Sequence, residues 1–485
     1  MRTLHEEHNL GVMSHTSQCV DTSIATPACH GASSSTTAAA AWSRALARLI
    51  EQVRDWQLQP GTLCRCSQKV PEMDMPTWLH SNPWAVRSYW SDRERRLEIG
   101  GIGTAIQLQA NCADDFGNLL NHAHDLAAQA GSSLICAFAF DEAPGRAHWR
   151  GFPAALALLP AVEMRREHGE LQLAANLFAA TESELAEQKR ALIAILTKLH
   201  LPQRQDYREH KLKVLERHDE LDHASCKEHI SAILREIAQG VIHKAVLARQ
   251  VELRLTEQMS PFATLRRWQQ ISPGSFSFAI EHAGRVFMGS SPERLFRREG
   301  HEVLTESLAG TVRRGETQEE DLALDESLRH DAKLVREHDW VTRYIEGELA
   351  PWVVRTEAPE QAGVLKLDRI QHRHLPIRAT LKEHIGDLEL LRALHPTPAV
   401  CGFPRREAHA LITRHERVQR GWYSGVIGVV APQCSELAVA IRSALIAQDR
   451  AWCYSGVGIV EGSDPEAEWQ ELEAKIESFL AAVEG

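Results

Sequence analysis

The sequence predicts an α+β protein in which large, mostly antiparallel sheets are flanked by helices. Short apolar runs bounded by turns recur between Trp84 and Pro160, as in a sheet of short strands. Residues 422–460 read as three consecutive strands, Trp422 to Val430, Leu437 to Ile446 and Trp452 to Val460, joined by short polar turns in an antiparallel meander. Between these regions lie stretches with helical periodicity.

In chain order, residues 1–40 are low-complexity sequence, with Ala32-Ser33-Ser34-Ser35-Thr36-Thr37 leading into four alanines. They offer little to bury and read as a disordered extension or an overlong predicted start. No charged n-region with an apolar h-region precedes the Ala32 to Ala41 stretch, so a secretory signal is not expected. An amphipathic helix follows over Ala38 to Val53, then irregular chain over Pro60 to Pro83. Ser133 to Phe140 is a buried strand and Glu182 to Leu199 a helix, while Asp206 to Asp219 is charged enough for an exposed connection. His229 to Ala238 places Ile230, Ile233, Leu234 and Ile237 on one helical face. Gly240 ends that helix and Val241 to Val251 is the next strand. At the C-terminus, Asp464 suits a helix cap and Pro465 the first helical position.

Composition narrows the class. With 485 residues, 44% hydrophobic and 25% charged, the chain has the make-up of a soluble globular protein, and length alone suggests about three domains. A formal charge of −11 with no dense Lys/Arg run speaks against nucleic-acid binding. It does not speak against an anionic substrate, because a few local cations outweigh the global balance at contact distance. The longest apolar run, near Phe152 to Val162, is too short to span a bilayer. Of the 10 cysteines only Cys64 and Cys66 are close together, and Cys-x-Cys matches neither a zinc knuckle nor a redox pair. Reduced thiols of a cytoplasmic protein are expected.

Several residues stand where chemistry is possible, each with a plainer alternative. Lys244, in the apolar run Ile242 to Ala248, can become a general base if buried, or point outward by strand alternation. Glu293, in the turn of Met288-Gly289-Ser290-Ser291-Pro292-Glu293-Arg294, can be a protonated acid between apolar walls, or a turn glutamate. Gly310 and Thr311 offer a glycine and a hydroxyl where backbone must approach a ligand. Lys333 and Glu337, i and i+4 on a helix over Asp331 to Val341, read as a surface salt bridge. Arg442 interrupts an apolar strand, and meets an anion or snorkels at a sheet edge. Stacked in the meander, Tyr423, Arg442 and Gly456 can share one pocket. Glu468 and Glu471 share a helical face beside a glycine-rich strand end, so they suit a hard divalent cation or are a solvated acidic face. Leu394 to Pro404 is too rich in proline for a regular element and forms a rigid loop.

Taken in order, these segments resemble the chorismate-utilising enzymes, and within them the isochorismate synthases. The resemblance is dense from about Val241 to Glu477 and weaker back towards residue 85. His395-Pro396-Thr397-Pro398-Ala399-Val400-Cys401-Gly402-Phe403-Pro404 is its most discriminating part, although Cys401 stands where the subgroup more often has glycine. Arg420-Gly421-Trp422-Tyr423-Ser424-Gly425 and Glu468-Trp469-Gln470-Glu471 fit the same group. It implies one intertwined catalytic domain over 41–485, with a variable part (41–220), a motif-bearing part (221–485) and one central site. Lys244 matches the general base that activates water and Glu293 the acid that protonates the departing hydroxyl. Glu337 and Glu471 match ligands of Mg2+, with Glu468 acting through water. Tyr423, Arg442 and the Gly456 backbone match the site of the enolpyruvyl carboxylate, and Gly310, Thr311, His374 and Lys475 match other pocket positions. Chorismate is the implied substrate, and a monomer without glutaminase, nucleic-acid or membrane partner is expected. A salicylate synthase, or a catalytically silent chorismate-binding paralogue, are the alternatives.

Overall fold

The computed structural model describes residues 32–57, 59–141, 147–203, 206, 211–367, 370–416 and 419–485. Among the described residues, two antiparallel sheets of 12 and 10 strands pack face to face, with helices on their outer faces, which is the predicted α+β arrangement. Trp90, Trp149, Phe152, Phe278, Phe287, Trp422 and Ile427 fill the layer between the sheets. Helices Ala32–Asp55, Glu182–Lys198, Pro261–Ile271 and Pro465–Glu484 cover the first sheet, and Phe116–Ala130, Ala332–Leu349 and Asp387–Leu394 the second. Both sheets take strands from both halves of the chain: Arg87–Ser91 pairs with Phe276–His282 in one, and Leu134–Phe138 with Val426–Val430 in the other. Among the described residues no helix is long and apolar enough to cross a membrane.

Most elements stand where the sequence puts them, with four corrections. The first helix begins at Ala32 rather than Ala38, so residues 32–40 of the expected extension are helical; residues 1–31 lie outside the described residues. Its alanines are the strongest helix formers. The expected irregular segment 60–83 holds a strand, Cys64–Lys69, and a short helix, Met75–Ser81, capped by Asp74. Part of the expected exposed connection is the strand Val214–Asp219, paired with Lys244–Leu255.

The fourth correction shapes the site. The expected strand Leu437 to Ile446 is two strands in different sheets, Cys434–Val439 and Ser443–Ala447, and Arg442, with φ +48°, sits between them. The residues read as one meander are therefore two hairpins, one per sheet. A second crossing runs alongside in the opposite sense. Arg285–Ser291 ends in the first sheet, Arg294–Glu299 begins in the second, and Glu293 occupies the step between. Ser290 N–H donates to the Arg442 carbonyl (3.0 Å) and Val439 N–H to the Glu293 carbonyl (3.0 Å), locking the two crossings together.

Candidate active site

A small cavity opens where the two crossings meet the end of strand Lys244–Leu255. Ten of the twelve residues singled out from sequence line it: Lys244, Glu293, Gly310, Thr311, Glu337, Tyr423, Arg442, Gly456, Glu471 and Lys475.

Lys244 opens its strand between Arg450–Val460 and the two-residue strand Gly402–Phe403, which the proline-rich loop contributes. Its side chain is buried, not turned outward, and Nζ donates to Glu337 Oε1 at 3.2 Å. The neighbouring strand leaves room for this: Gly456 and Gly458 lie two residues apart on one face. A Cβ at Gly458 would stand 2.4 Å from Glu337 Oε1 and 2.8 Å from Lys244 Cε; one at Gly456 would stand 2.7 Å from Tyr423 Oη. Gly458→Ala is thus expected to misplace the lysine and the carboxylate together. Turnover should fall by about 10²-fold, the scale of a 1 Å misalignment. A thermal melt close to wild type alongside that loss would locate the damage in the site, whereas unchanged turnover would mean that this glycine sets no constraint.

Glu293 is 4% exposed and lies beside the proline-rich loop, where Thr397 Oγ1 stands 3.5 Å from Oε1. Burial, and then the charge of Glu306, push its carboxyl up to about 8 against the pull of Lys244. That shift favours the protonated carboxyl at neutral pH. Gly310, with φ +76°, forms the bulge at which the register between strands Glu302–Arg313 and Ile370–Leu381 shifts, and a Cβ there would press on the Leu334 carbonyl at 3.2 Å. Beyond it Thr311 Oγ1 meets His372 Nδ1 at 3.0 Å. Burial, then Arg442 and Lys475, hold His372 well below the usual imidazole range, so it is neutral.

On the cationic side, burial lowers the Arg442 guanidinium to about 10, which leaves it charged at neutral pH. Burial also raises the Tyr423 phenol to about 12, keeping it a hydrogen-bond donor, and its ring stacks on Tyr454 with centroids 5.0 Å apart. Lys475 donates to the Gly456 carbonyl (2.7 Å) and pairs with Glu471 (2.7 Å). Asp464 caps the helix that carries them, accepting from Glu466 and Ala467 N–H, with Pro465 in its first turn as expected.

Two predicted residues lie off the cavity wall. His374 Nε2 instead meets Glu306 Oε2 at 3.0 Å, and His372 takes the wall position. The two histidines share a strand face, so alternation alone does not separate them; the bulge opposite decides. Glu468 is 1% exposed and faces Lys333 Nζ at 2.6 Å. Lys333 is therefore not the partner of Glu337 on a solvated surface. Three buried or half-buried pairs form instead: Lys244–Glu337, Lys333–Glu468 and Lys475–Glu471. Burial and the adjacent Glu471 raise the Glu468 carboxyl to about 7. For Glu337 burial works upward too, but Lys244, Lys333 and Lys475 outweigh it and hold the carboxyl below its ordinary range. Hard carboxylate oxygens from two helices suit Mg2+ or a similar cation. Among the described residues, however, no three metal-ligating side chains close on a common point.

The chorismate binding enzyme family matches residues 48–484. The isochorismate synthase MenF of Escherichia coli (strain K12) is 36% identical over 408 residues, spanning 83% of this chain and 89% of the relative. The chloroplastic isochorismate synthase of Catharanthus roseus is 32% identical over 404 residues, 80% of this chain and 69% of that one. The solved structure of the menaquinone-specific isochorismate synthase MenF from Escherichia coli superposes with a TM-score of 0.80 at 27% identity, covering 91% of this chain and 100% of that one. With the match running through almost all of both sheets and the cavity between them, the chain belongs to the chorismate-binding enzymes, among the isochorismate synthases.

Proposed function

We propose that the protein isomerises chorismate to isochorismate, with Lys244 as general base and Glu293 as general acid. One observation carries the reading: a single cavity joins a buried lysine, a buried carboxyl pushed up to about 8, and the cations Arg442 and Lys475. The reaction moves a hydroxyl between ring carbons across a conjugated diene. Water is deprotonated as its oxygen bonds to the carbon next to the carboxylate-bearing one, the double bonds shift, and the old hydroxyl leaves with a proton. Lys244 takes the first proton once its pair with Glu337 has opened and its ammonium has released a proton to solvent, and Glu293 supplies the second. Each transfer is worth about 10²–10⁴-fold. Arg442 and Tyr423 receive the enolpyruvyl carboxylate, aided by the backbone at Gly456, while Thr311 and neutral His372 supply polar contacts on the bulge side. Apolar Val246, Leu308, Ala399 and Val400 complete the wall and exclude bulk water.

Glu337 and Glu471 would hold Mg2+, with Glu468 acting through water, and the bound cation would offset the charge of the ring carboxylate. The test is to incubate the protein with chorismate, with and without Mg2+, and follow products by NMR. Magnesium-dependent isochorismate without pyruvate is expected. Salicylate with stoichiometric pyruvate would replace the reading with a salicylate synthase, and no turnover would leave a silent chorismate binder.

A further inference from the structure

Glu306 lies on strand Glu302–Arg313, 3% exposed and behind the cavity wall, and the reaction as described does not use it. Its contacts converge on one backbone step. Oε1 accepts from the Arg294 backbone N–H at 2.8 Å. Arg93 grips both carboxylate oxygens, at 2.8 and 2.7 Å, and also donates to the Pro292 carbonyl at 3.0 Å. The carbonyl before Glu293 and the amide after it are thus clamped by one Arg93–Glu306 pair, and His374 closes the far side at 3.0 Å.

This carboxylate keeps its charge although it is buried. Burial alone would raise it, but His374 and Arg93 outweigh that and hold it at about 2. Its negative charge acts on Glu293 through space, against the charges of Lys244 and Lys475 on the cavity side. Arg294 approaches Glu306 at 3.8 Å but spends its guanidinium on Glu436 and Glu94 at 2.7–3.0 Å. A buried anion this firmly compensated would be a costly way merely to fasten a turn.

We infer that Glu306 is a positioning residue for Glu293: with Arg93 it fixes the crossing on which Glu293 stands, and its permanent charge keeps the Glu293 proton in place for delivery to the leaving hydroxyl. His374 therefore serves the reaction from outside the cavity, through Glu306. The inference rests on Glu293 being the general acid, and the experiment separates the two claims.

The pH dependence of chorismate turnover is measured at saturating Mg2+ for wild type, Glu306→Gln, Arg93→Gln and Glu293→Gln. An acid must carry its proton, so activity falls as pH rises through its pKa. Removing the Glu306 charge should move that basic limb to lower pH by roughly one unit. Removing the Arg93 cation, with Glu306 still charged, should move it the other way. A merely structural role would lower turnover without moving the limb. Should Glu306→Gln fail to fold, the Arg93→Gln limb decides, and a limb at its wild-type position overturns the inference. A wild-type limb in Glu306→Gln with Glu293→Gln inactive overturns it alone. A wild-type profile in Glu293→Gln removes the general-acid reading and the inference with it.

Discussion

Lys244→Ala is expected to lower turnover by about 10²–10⁴-fold, the contribution of a positioned general base. Neither of the nearby lysines can take over from where it stands. Lys475 is tied to the Gly456 carbonyl and to Glu471, and Lys333 is tied to Glu468. The variant should still fold, since Lys244 touches one carboxylate, and Glu337 retains the nearby charges of Lys333 and Lys475. Lys244→Arg is the sharper control. It keeps the positive charge beside Glu337, but a guanidinium does not give up its proton in a protein. If Lys244 acts by charge alone, the arginine variant will be active; if it acts as the base, both variants will be equally poor. The measurement is isochorismate formation by NMR, with thermal melts run on the same samples. A folded Lys244→Ala protein at wild-type turnover would end the assignment.

Much of this arrangement was legible in the sequence because the signals are local. Asp464 and Pro465 announce a helix start, and Glu468 and Glu471 then share a face whatever else the chain does. The helix bearing Glu337 was legible as well, read as starting at Asp331, which caps it. The glycine-rich strand end before the helix of Glu468 and Glu471 was legible too, with Gly456 as a pocket position; the close approach at Gly458 was not. What was not legible is long-range. Leu437 to Ile446 is apolar throughout apart from Arg442 and Ser443, so periodicity reads a strand and has no means of registering that the chain leaves one sheet for the other midway. The misplaced arginine was the sole hint. Which of His372 and His374 reaches the cavity depends on a bulge in a strand some 60 residues earlier. The partner of Lys333 was misjudged for a related reason. Glu337 is its neighbour by helical spacing, but Glu468 arrives from a helix more than a hundred residues away. The short helix Met75–Ser81 falls below the length at which periodicity speaks.

Glu293→Gln should cost turnover on the same scale as Lys244→Ala, about 10²–10⁴-fold, because the amide keeps the shape of the acid without its transferable proton. It should also make the protein more stable at alkaline pH. The folded-state pKa of about 8 is raised above the ordinary 4.5, chiefly by burial. A raised carboxyl binds its proton more tightly folded than unfolded, so its favourable contribution is complete below pH 4.5 and is lost as pH rises through 8. Glutamine does not titrate. The difference in melting temperature between variant and wild type should therefore grow in favour of the variant across that window and level off above it. Lost activity with gained stability is the mark of a group held in an unfavourable setting because the chemistry needs it there. A variant that loses activity while its stability follows the wild type at every pH would instead mean that Glu293 is ionised in the folded protein. The proton for the departing hydroxyl would then have to come from another group on the cavity wall.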